Sequence, residues 1–567
     1  MTNKKIIQVL RETAALIELT DGNPFRARAF SRATRTLRGL ETPITERLDN
    51  GTLTDIDGIG AGLAGDIQEL VDRGSLPTRD ELLNIVPPGV LDLLQIKGLG
   101  TKRVRTLWTS LDVTSLDELE AAAEAGRVSA LDGFGAKTEA KIIRNIRQLR
   151  RYQSQRRYAD AIAEVAPLLE QLRQHPAVSR AEQTGALRRK VPTLRRAELV
   201  VAGTDRLTIQ QSLTDLLEDA SVGTEDEASV VDGSLAEGLP LRIRIVDPAR
   251  FGTAQWSHTG SDAHVDAFVE QFGAPGAHAE EADVFAAAGL AFIAPELREN
   301  QGELDAAADD ALPALITTDA LRGSLHNHST FSDGAHSLRA MAETAREMGY
   351  AYFGICDHSQ SLTIAGGLSP AEVQEQRQEV AALNEAFAQD EGPPFRLFHG
   401  IESDILKDGS LDYEEEVLAQ FDFVVASVHS GFNMTEAEAT ERLIRAIQNP
   451  HTSILGHPTG RLLLVREGYA IDHERVIGAC AAHDVAIELN ANPYRLDLDW
   501  TWIRTATERG VLIAINPDAH ATEDLANVRW GVEAARKGWL TPAQCLNAKS
   551  LDEFVAWLEM RRSTQPA

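Results

Sequence analysis

The chain has 567 residues, long enough for three or four domains with real cores, and its 43% hydrophobic and 25% charged content is that of an ordinary soluble protein. No apolar run approaches the roughly 18–20 residues of a membrane span, and the charge-dotted amphipathic start, Met1–Ile17, does not read as a signal peptide. Three scattered cysteines (Cys356, Cys480, Cys545) exclude a disulfide framework, so a cytoplasmic location is expected, while the net charge of −29 argues at first sight against a nucleic-acid partner.

The charge is unevenly spread. Residues 1–157 hold 24 Lys and Arg against 21 Asp and Glu, which leaves 32 against 64 for the remainder. Phosphate-backbone contacts are therefore expected to start at this head. Within it a short pattern recurs three times: apolar, any residue, Gly, apolar, Gly, then a helix start. The copies are Ile56-Asp57-Gly58-Ile59-Gly60, Ile96-Lys97-Gly98-Leu99-Gly100 and Leu131-Asp132-Gly133-Phe134-Gly135. Glycines let such a turn bring backbone N–H groups close to a phosphate, and the following helix N-terminus adds partial positive charge. This grips nucleic-acid backbone without reading bases. The copies read as helix-hairpin-helix motifs, with Gly58, Gly60, Gly98, Gly100, Lys102, Arg103, Gly133, Gly135 and Lys137 as candidate DNA contacts. The first copy has Asp57 and Asp66 and no basic neighbour. After the third, Lys141, Arg144, Arg147, Arg150, Arg151, Arg156 and Arg157 read as a continued phosphate-tracking stripe.

The middle, residues 158–318, contains Gly185-Ala186-Leu187-Arg188-Arg189 followed by Arg196-Ala197-Glu198-Leu199-Val200-Val201. This stretch resembles the palm of a family X DNA polymerase. The resemblance implies an α+β nucleotidyltransferase-like fold in which an Asp-x-Asp pair and a third carboxylate hold two Mg²⁺ ions. Here the Asp-x-Asp positions carry Arg196 and Glu198, and an ungapped placement puts the third at Arg242. Two arginines repel Mg²⁺, and one Glu does not hold two ions. A fold kept and synthesis lost is the expectation. An acidic patch from Glu299 to Asp310 then reads as a domain junction.

From residue 319 the pattern changes to alternating strand and helix, the grammar of a β/α barrel. Short apolar runs end in metal-ligand side chains: His326 and His328 with Asp333 beyond them, then His358, Glu402, His429, His457, and finally Asp518 and His520. A further run, Val485–Asn490, ends with no obvious ligand. Barrel active sites gather at the C-terminal ends of strands, which is where these nine residues fall. Nine nitrogen and oxygen donors are too many for one four-coordinate ion and suit a cluster of two or three divalent ions, Mn²⁺ or Zn²⁺ and also Fe²⁺. Clusters of that kind serve phosphoryl displacement.

The same residues resemble a PHP domain (the polymerase and histidinol phosphatase family). Asp357 beside His358, the run Gly456-His457-Pro458-Thr459-Gly460-Arg461 and the run Asn490-Ala491-Asn492-Pro493-Tyr494-Arg495 resemble the form of that domain in bacterial PolX proteins. The resemblance implies a distorted seven-stranded β/α barrel over 319–567, with one metal on His326, His328, Glu402 and Asp518, a second on Glu402, His429 and His457, and a third on Asp333, His358 and His520. It also implies a metal-dependent 3′→5′ exonuclease or 3′-end-processing phosphodiesterase. Arg461 and Arg495 are candidate catalytic phosphate clamps through their planar guanidinium forks. Two alternatives stand beside this reading: a polymerase that still synthesises, and a phosphomonoesterase like the histidinol phosphatases.

Overall fold

The computed structural model describes residues 1–567 except 39, 41, 57, 226–227, 391 and 564–567. It divides into two compact units, Met1–Ser154 and Gln155–Ala567.

The first unit is helical and has two cores. Ile6, Leu10, Phe30, Ile67 and Leu70 build one; Val90, Leu93, Val104, Leu107, Ile142 and Ile146 build the other. All three Gly-rich turns share one geometry. Gly58, Gly98 and Gly133 sit at φ +86°, +92° and +78°, a region that side chains with a Cβ avoid. Gly60, Gly100 and Gly135 are the extended N-caps of the helices Ala61–Arg73, Thr101–Leu111 and Ala136–Gln153. The apolar residue between each pair of glycines (Ile59, Leu99, Phe134) is buried and anchors its turn to a core.

In the second unit a five-stranded mixed sheet comes first. Ala197–Ala202 and Pro240–Val246 run parallel at its centre, with Arg180–Thr184 outside the former and Ala228–Ser234, then Glu218–Glu225, outside the latter. The barrel follows with seven strands: β1 (Gly323–Ser324), β2 (Tyr352–Ile355), β3 (Arg396–Asp404), β4 (Phe423–Ser427), β5 (Thr452–Leu455), β6 (Ala486–Asn490) and β7 (Ile513–Asn516). They pair in sequential order and all in parallel, and a parallel bridge between Asn327 and Ala519 draws the first strand's extension to the last's. This is the near-closed α/β barrel expected from the sequence. Its strands are buried on both faces, which is why they read as near-continuous apolar runs. Side chains such as Tyr352, Phe398, Phe423 and Ile454 pack with Phe554, Trp557 and Leu558 of the last helix, Leu551–Ser563, while Phe353, Ile355, Ile401 and Leu455 face the surrounding layer.

The mixed sheet and the barrel share one hydrophobic cluster and a buried ionic seam. Glu296 meets Lys190 at 3.1 Å and Arg536 of the helix Val528–Lys537 at 2.8 Å, and Glu299 pairs with both Arg189 and Lys537. Among the described residues no helix is long and apolar enough to cross a membrane.

Candidate metal centre and nucleic-acid interface

Each expected ligand is carried to the C-terminal end of the barrel by the strand that precedes it. Glu402 stands at the centre. Its Oε1 lies 3.0 Å from His457 Nε2, 3.2 Å from His429 Nε2 and 3.3 Å from His326 Nε2. Its Oε2 lies 2.9 Å from His358 Nδ1 and 3.7 Å from His328 Nε2. A carboxylate with imidazoles around both oxygens has the form of a bridging ligand. Asp518 Oδ1 approaches His328 Nε2 at 3.2 Å, and Asp333 Oδ1 lies 3.4 Å from the Nε2 atoms of both His358 and His520. Three sets have ligand atoms close enough to share an ion: His326, His328 and Asp518; His358, Glu402 and His429; and His328, Asp333, His358 and His520. His326, His328, Glu402 and His457 are deeply buried, whereas Asp333 is exposed, so the centre opens on the Asp333 side.

The donor set fits divalent metal. His326 Nε2, His328 Nδ1, His358 Nδ1 and Glu402 Oε2 are buried, and close as some of them lie, none meets a partner in hydrogen-bonding geometry among the described residues. Such orphaned atoms are costly unless an ion or a polar ligand meets them. The opposite imidazole nitrogens are held by outer groups: His326 Nδ1 by Glu488 at 2.6 Å, His429 Nδ1 by Asp404 at 2.7 Å, and His520 Nδ1 by the Asp518 carbonyl at 3.0 Å. That is the carboxylate–histidine arrangement which orients metal-binding imidazoles.

The electrostatics agree. Burial is the largest single influence on these imidazoles and opposes their charge, but the carboxylates outweigh it. His358 rises to about 9 beside Glu402 and Asp333, His429 to about 10 beside Glu402 and Asp404, and His520 to about 9 beside Asp333 and Asp518. His328 moves the other way, to about 3, because burial is reinforced by His520 and His358. Burial also works against ionised Glu402 and Asp518, yet the surrounding histidines hold both far below the ordinary carboxylate range. Carboxylates and imidazoles interleave here so that a divalent cation can take the place of the imidazole protons.

Two residues of β6 escaped the sequence reading. Glu488 is fully buried; it orients His326 and accepts from the His457 backbone N–H at 3.2 Å. Asn490 donates to Glu488 at 2.9 Å and to Asp518 at 3.0 Å. The signal was a carboxylate inside an otherwise apolar strand, which needs a partner to be buried at all.

The two expected clamps separate. Arg461 donates from Nε to the Arg495 carbonyl at 2.9 Å and spends its two terminal nitrogens on Asp499 and the Leu496 carbonyl. It braces the loop after β6, and all three of its guanidinium nitrogens are engaged there, not offered to a phosphate as expected. Arg495 reaches the centre, with Nε 3.4 Å from Asp518 Oδ2, and stays partly exposed.

In the mixed sheet Glu198 is gripped by Arg196 at 3.1 Å and by Arg244 at 2.8 Å. Arg242, the position placed by ungapped matching, is instead bidentate to Asp232 at 2.7 and 3.0 Å. The register explains the difference: Arg242 stands beside Glu198, but Asp232 on the far strand competes for it and Arg244 turns to Glu198. The cavity next to them, about 410 Å³, is lined by Gly185, Arg189, Arg196, Glu198 and Arg244. Asp247, just beyond the strand Pro240–Val246, pairs with Arg206 at 2.7 Å. Among the described residues all three sets able to share an ion lie in the barrel.

In the head, Lys102, Arg103 and Lys137 are exposed on the first turns of their helices. Arg103 donates to the Gly98 carbonyl at 3.0 Å and so also braces its own turn. The first hairpin lacks a basic residue in sequence, yet Arg32 of the helix Pro24–Arg38 lies against Gly58. Asp57 falls outside the described residues. The expected stripe after the third hairpin is narrower than its sequence suggests. Arg147 and Arg150 pair with Glu120, Glu124 and Asp117 of the helix Leu116–Glu124, while Lys137, Lys141, Arg144 and Arg151 are exposed along their own helix.

Comparison with known proteins matches parts of both units. Family models match as a helix-hairpin-helix domain over residues 1–76, a SAM-like helix-hairpin-helix tandem over 90–148 and a PHP domain over 324–492. The chain is 35% identical over 577 residues to the "DNA polymerase/3′-5′ exonuclease PolX" of Bacillus subtilis, with 99% of this chain and 100% of that protein covered. A "Probable phosphatase" of Caldicellulosiruptor bescii is 30% identical over 175 residues, 29% of this chain and 69% of its own. Another, of Vibrio atlanticus, is 29% identical over 219 residues, 37% of this chain and 82% of its own.

Proposed function

The chain belongs to the PolX family, with helix-hairpin-helix elements at its head and a PHP domain at its C-terminal end, and from that premise we propose that it is a metal-dependent 3′→5′ DNA exonuclease whose polymerase palm is silent. The observation that carries this reading is the contrast between two sites in one chain. The barrel gathers eight further histidine and aspartate side chains about Glu402, whereas the palm position has Glu198 locked between Arg196 and Arg244. The relative from Bacillus subtilis is named for both activities; the chemistry of the side chains here supports the nuclease alone.

His326, His328, Glu402 and Asp518, then His429 and His457, then Asp333, His358 and His520 would hold two or three ions, with Mn²⁺ or Zn²⁺ the best fit to nitrogen and carboxylate donors. When bound, such ions supply positive charge to the phosphoryl oxygens and lower the pKa of water to near neutrality. The protein's own contribution is placement. Glu488 and Asp404 fix His326 and His429 with the metal-facing nitrogens inward. Arg495, beside Asp518, offers a planar pair of donors to a phosphodiester oxygen. Lys102, Arg103, Lys137 and the hairpin backbones hold DNA by its phosphates and leave its sequence unread. Acting on 3′ ends, such an enzyme serves DNA repair.

The probable phosphatases among the relatives favour a second reading, a phosphomonoesterase. Steady-state hydrolysis in Mn²⁺ separates the two. On the nuclease reading kcat/KM for a 3′-hydroxyl oligonucleotide exceeds that for p-nitrophenyl phosphate by orders of magnitude, and His326→Ala/His328→Ala abolishes both. A preference for the small monoester would replace it with the second.

A further inference from the structure

We propose that Tyr494, backed by Arg157, is the platform on which a base near the 3′ end of the substrate strand stacks while its phosphodiester sits at the metal centre. The proposal rests on the nuclease reading and adds which part of the substrate is held beside the reacting phosphate.

Tyr494 stands one residue before Arg495, whose Nε lies 3.4 Å from the ligand Asp518. Its backbone is fixed on both sides: the Tyr494 N–H donates to Asn492 Oδ1 at 3.0 Å, and its carbonyl accepts from the Leu463 N–H at 2.6 Å. On this fixed backbone the residue is 50% exposed. One face is covered by the Arg157 guanidinium, 3.8 Å from the ring centroid, and Arg157 is itself held by Asp160 at 2.7 Å. A delocalised cation on one face of an aromatic ring, with the rest of the ring open, makes a preorganised stacking surface. Such surfaces accept any base, because every base has a π-face.

The surroundings support a base over a bare phosphate as the occupant. Val465, on the turn tied to Tyr494 through Leu463, is 62% exposed. Ile364, on the turn Thr363–Ala365, is 94% exposed, and the following Gly366 lies against Ser332, next to the ligand Asp333. Three loops that border the centre therefore present apolar surface to solvent in a strongly acidic protein. A free phosphate or a small sugar phosphate has no use for it; a nucleobase does. A base inside a duplex has both faces covered by its neighbours, so the platform takes a base from a single strand or from a strand end.

The test measures the first cleavage of 5′-labelled single-stranded oligonucleotides in Mn²⁺, with normal bases or with an abasic nucleotide at either of the two 3′-terminal positions. Wild type, Tyr494→Ala, Tyr494→Trp and Arg157→Ala are compared. Wild type is expected to lose about five- to hundredfold in kcat/KM, mainly through KM, when the stacked base is missing, the range that one base–aromatic stack is worth. Tyr494→Ala loses a similar factor on the normal strand and nothing more on the abasic one. Tyr494→Trp restores the preference, and Arg157→Ala weakens it. The two deletions must be coupled in this way if ring and base touch. Losses that simply multiply, or a Tyr494→Ala enzyme that still discriminates against the abasic strand, overturn the proposal, and a merely disturbed loop gives that result. If wild type cleaves no oligonucleotide yet hydrolyses a phosphomonoester, the nuclease reading itself has failed, and that is visible before any variant is made.

Discussion

Glu488 Oε2 lies 2.6 Å from His326 Nδ1, which keeps the imidazole proton on that side and turns Nε2 inward. Glu488→Gln keeps the shape and removes the charge. It is expected to lower metal affinity about 10- to 100-fold, as loss of an outer-sphere partner does, read by Mn²⁺ titration; an unchanged affinity would assign Glu488 to packing alone. The raised imidazoles carry a second expectation. His358, His429 and His520, at about 9, 10 and 9, are protonated at neutral pH and must become neutral to ligate metal. Metal uptake therefore releases protons, and affinity climbs as pH rises from 6 towards 9. Addition of Mn²⁺ to weakly buffered protein should acidify it, and no acidification would show that the histidines are neutral beforehand.

At the scale of elements, the hairpins were legible in the sequence because glycine is the residue that readily takes φ near +90°. The barrel was legible because its strands are apolar runs that end in side chains of metal-ligand type. What lay beyond the sequence was pairing across elements: Arg150 turned to Glu120, Arg461 spent on its own loop, Arg244 rather than Arg242 on Glu198. Those choices depend on register and on which carboxylate a neighbouring strand or helix supplies, and local pattern does not encode them. Lys137, exposed at the start of its helix, is expected to contribute one phosphate contact. Lys137→Ala should weaken DNA binding alike for all sequences and reduce the slope of log affinity against log salt by about 1, measured by fluorescence anisotropy. A sequence-dependent loss would mean that the hairpin reads bases.

At the scale of the molecule, the acidic mass of the chain lies outside the head, and the mixed sheet is joined to the barrel by the seam around Glu296. Burial, the largest influence there, opposes the Glu296 charge, but Lys190 and Arg536 hold its carboxyl down at about 2. A depressed carboxylate contributes stability in full above its unfolded value near 4.5, and this stability is lost as pH falls towards 2. Glu296→Gln should therefore cost about 3 kcal/mol in urea unfolding at pH 7, with the gap to wild type closing between pH 4.5 and 2. A gap independent of pH would point to shape alone.

The central claim, one working metal centre and one silent palm, is tested by a 5′-labelled primer–template in Mn²⁺, resolved on a gel with and without dNTPs beside the His326→Ala/His328→Ala variant. The account predicts shortening in both lanes, none with the variant, and no product longer than the primer. Extension with dNTPs would contradict it, because Glu198 between two arginines would then have to support synthesis.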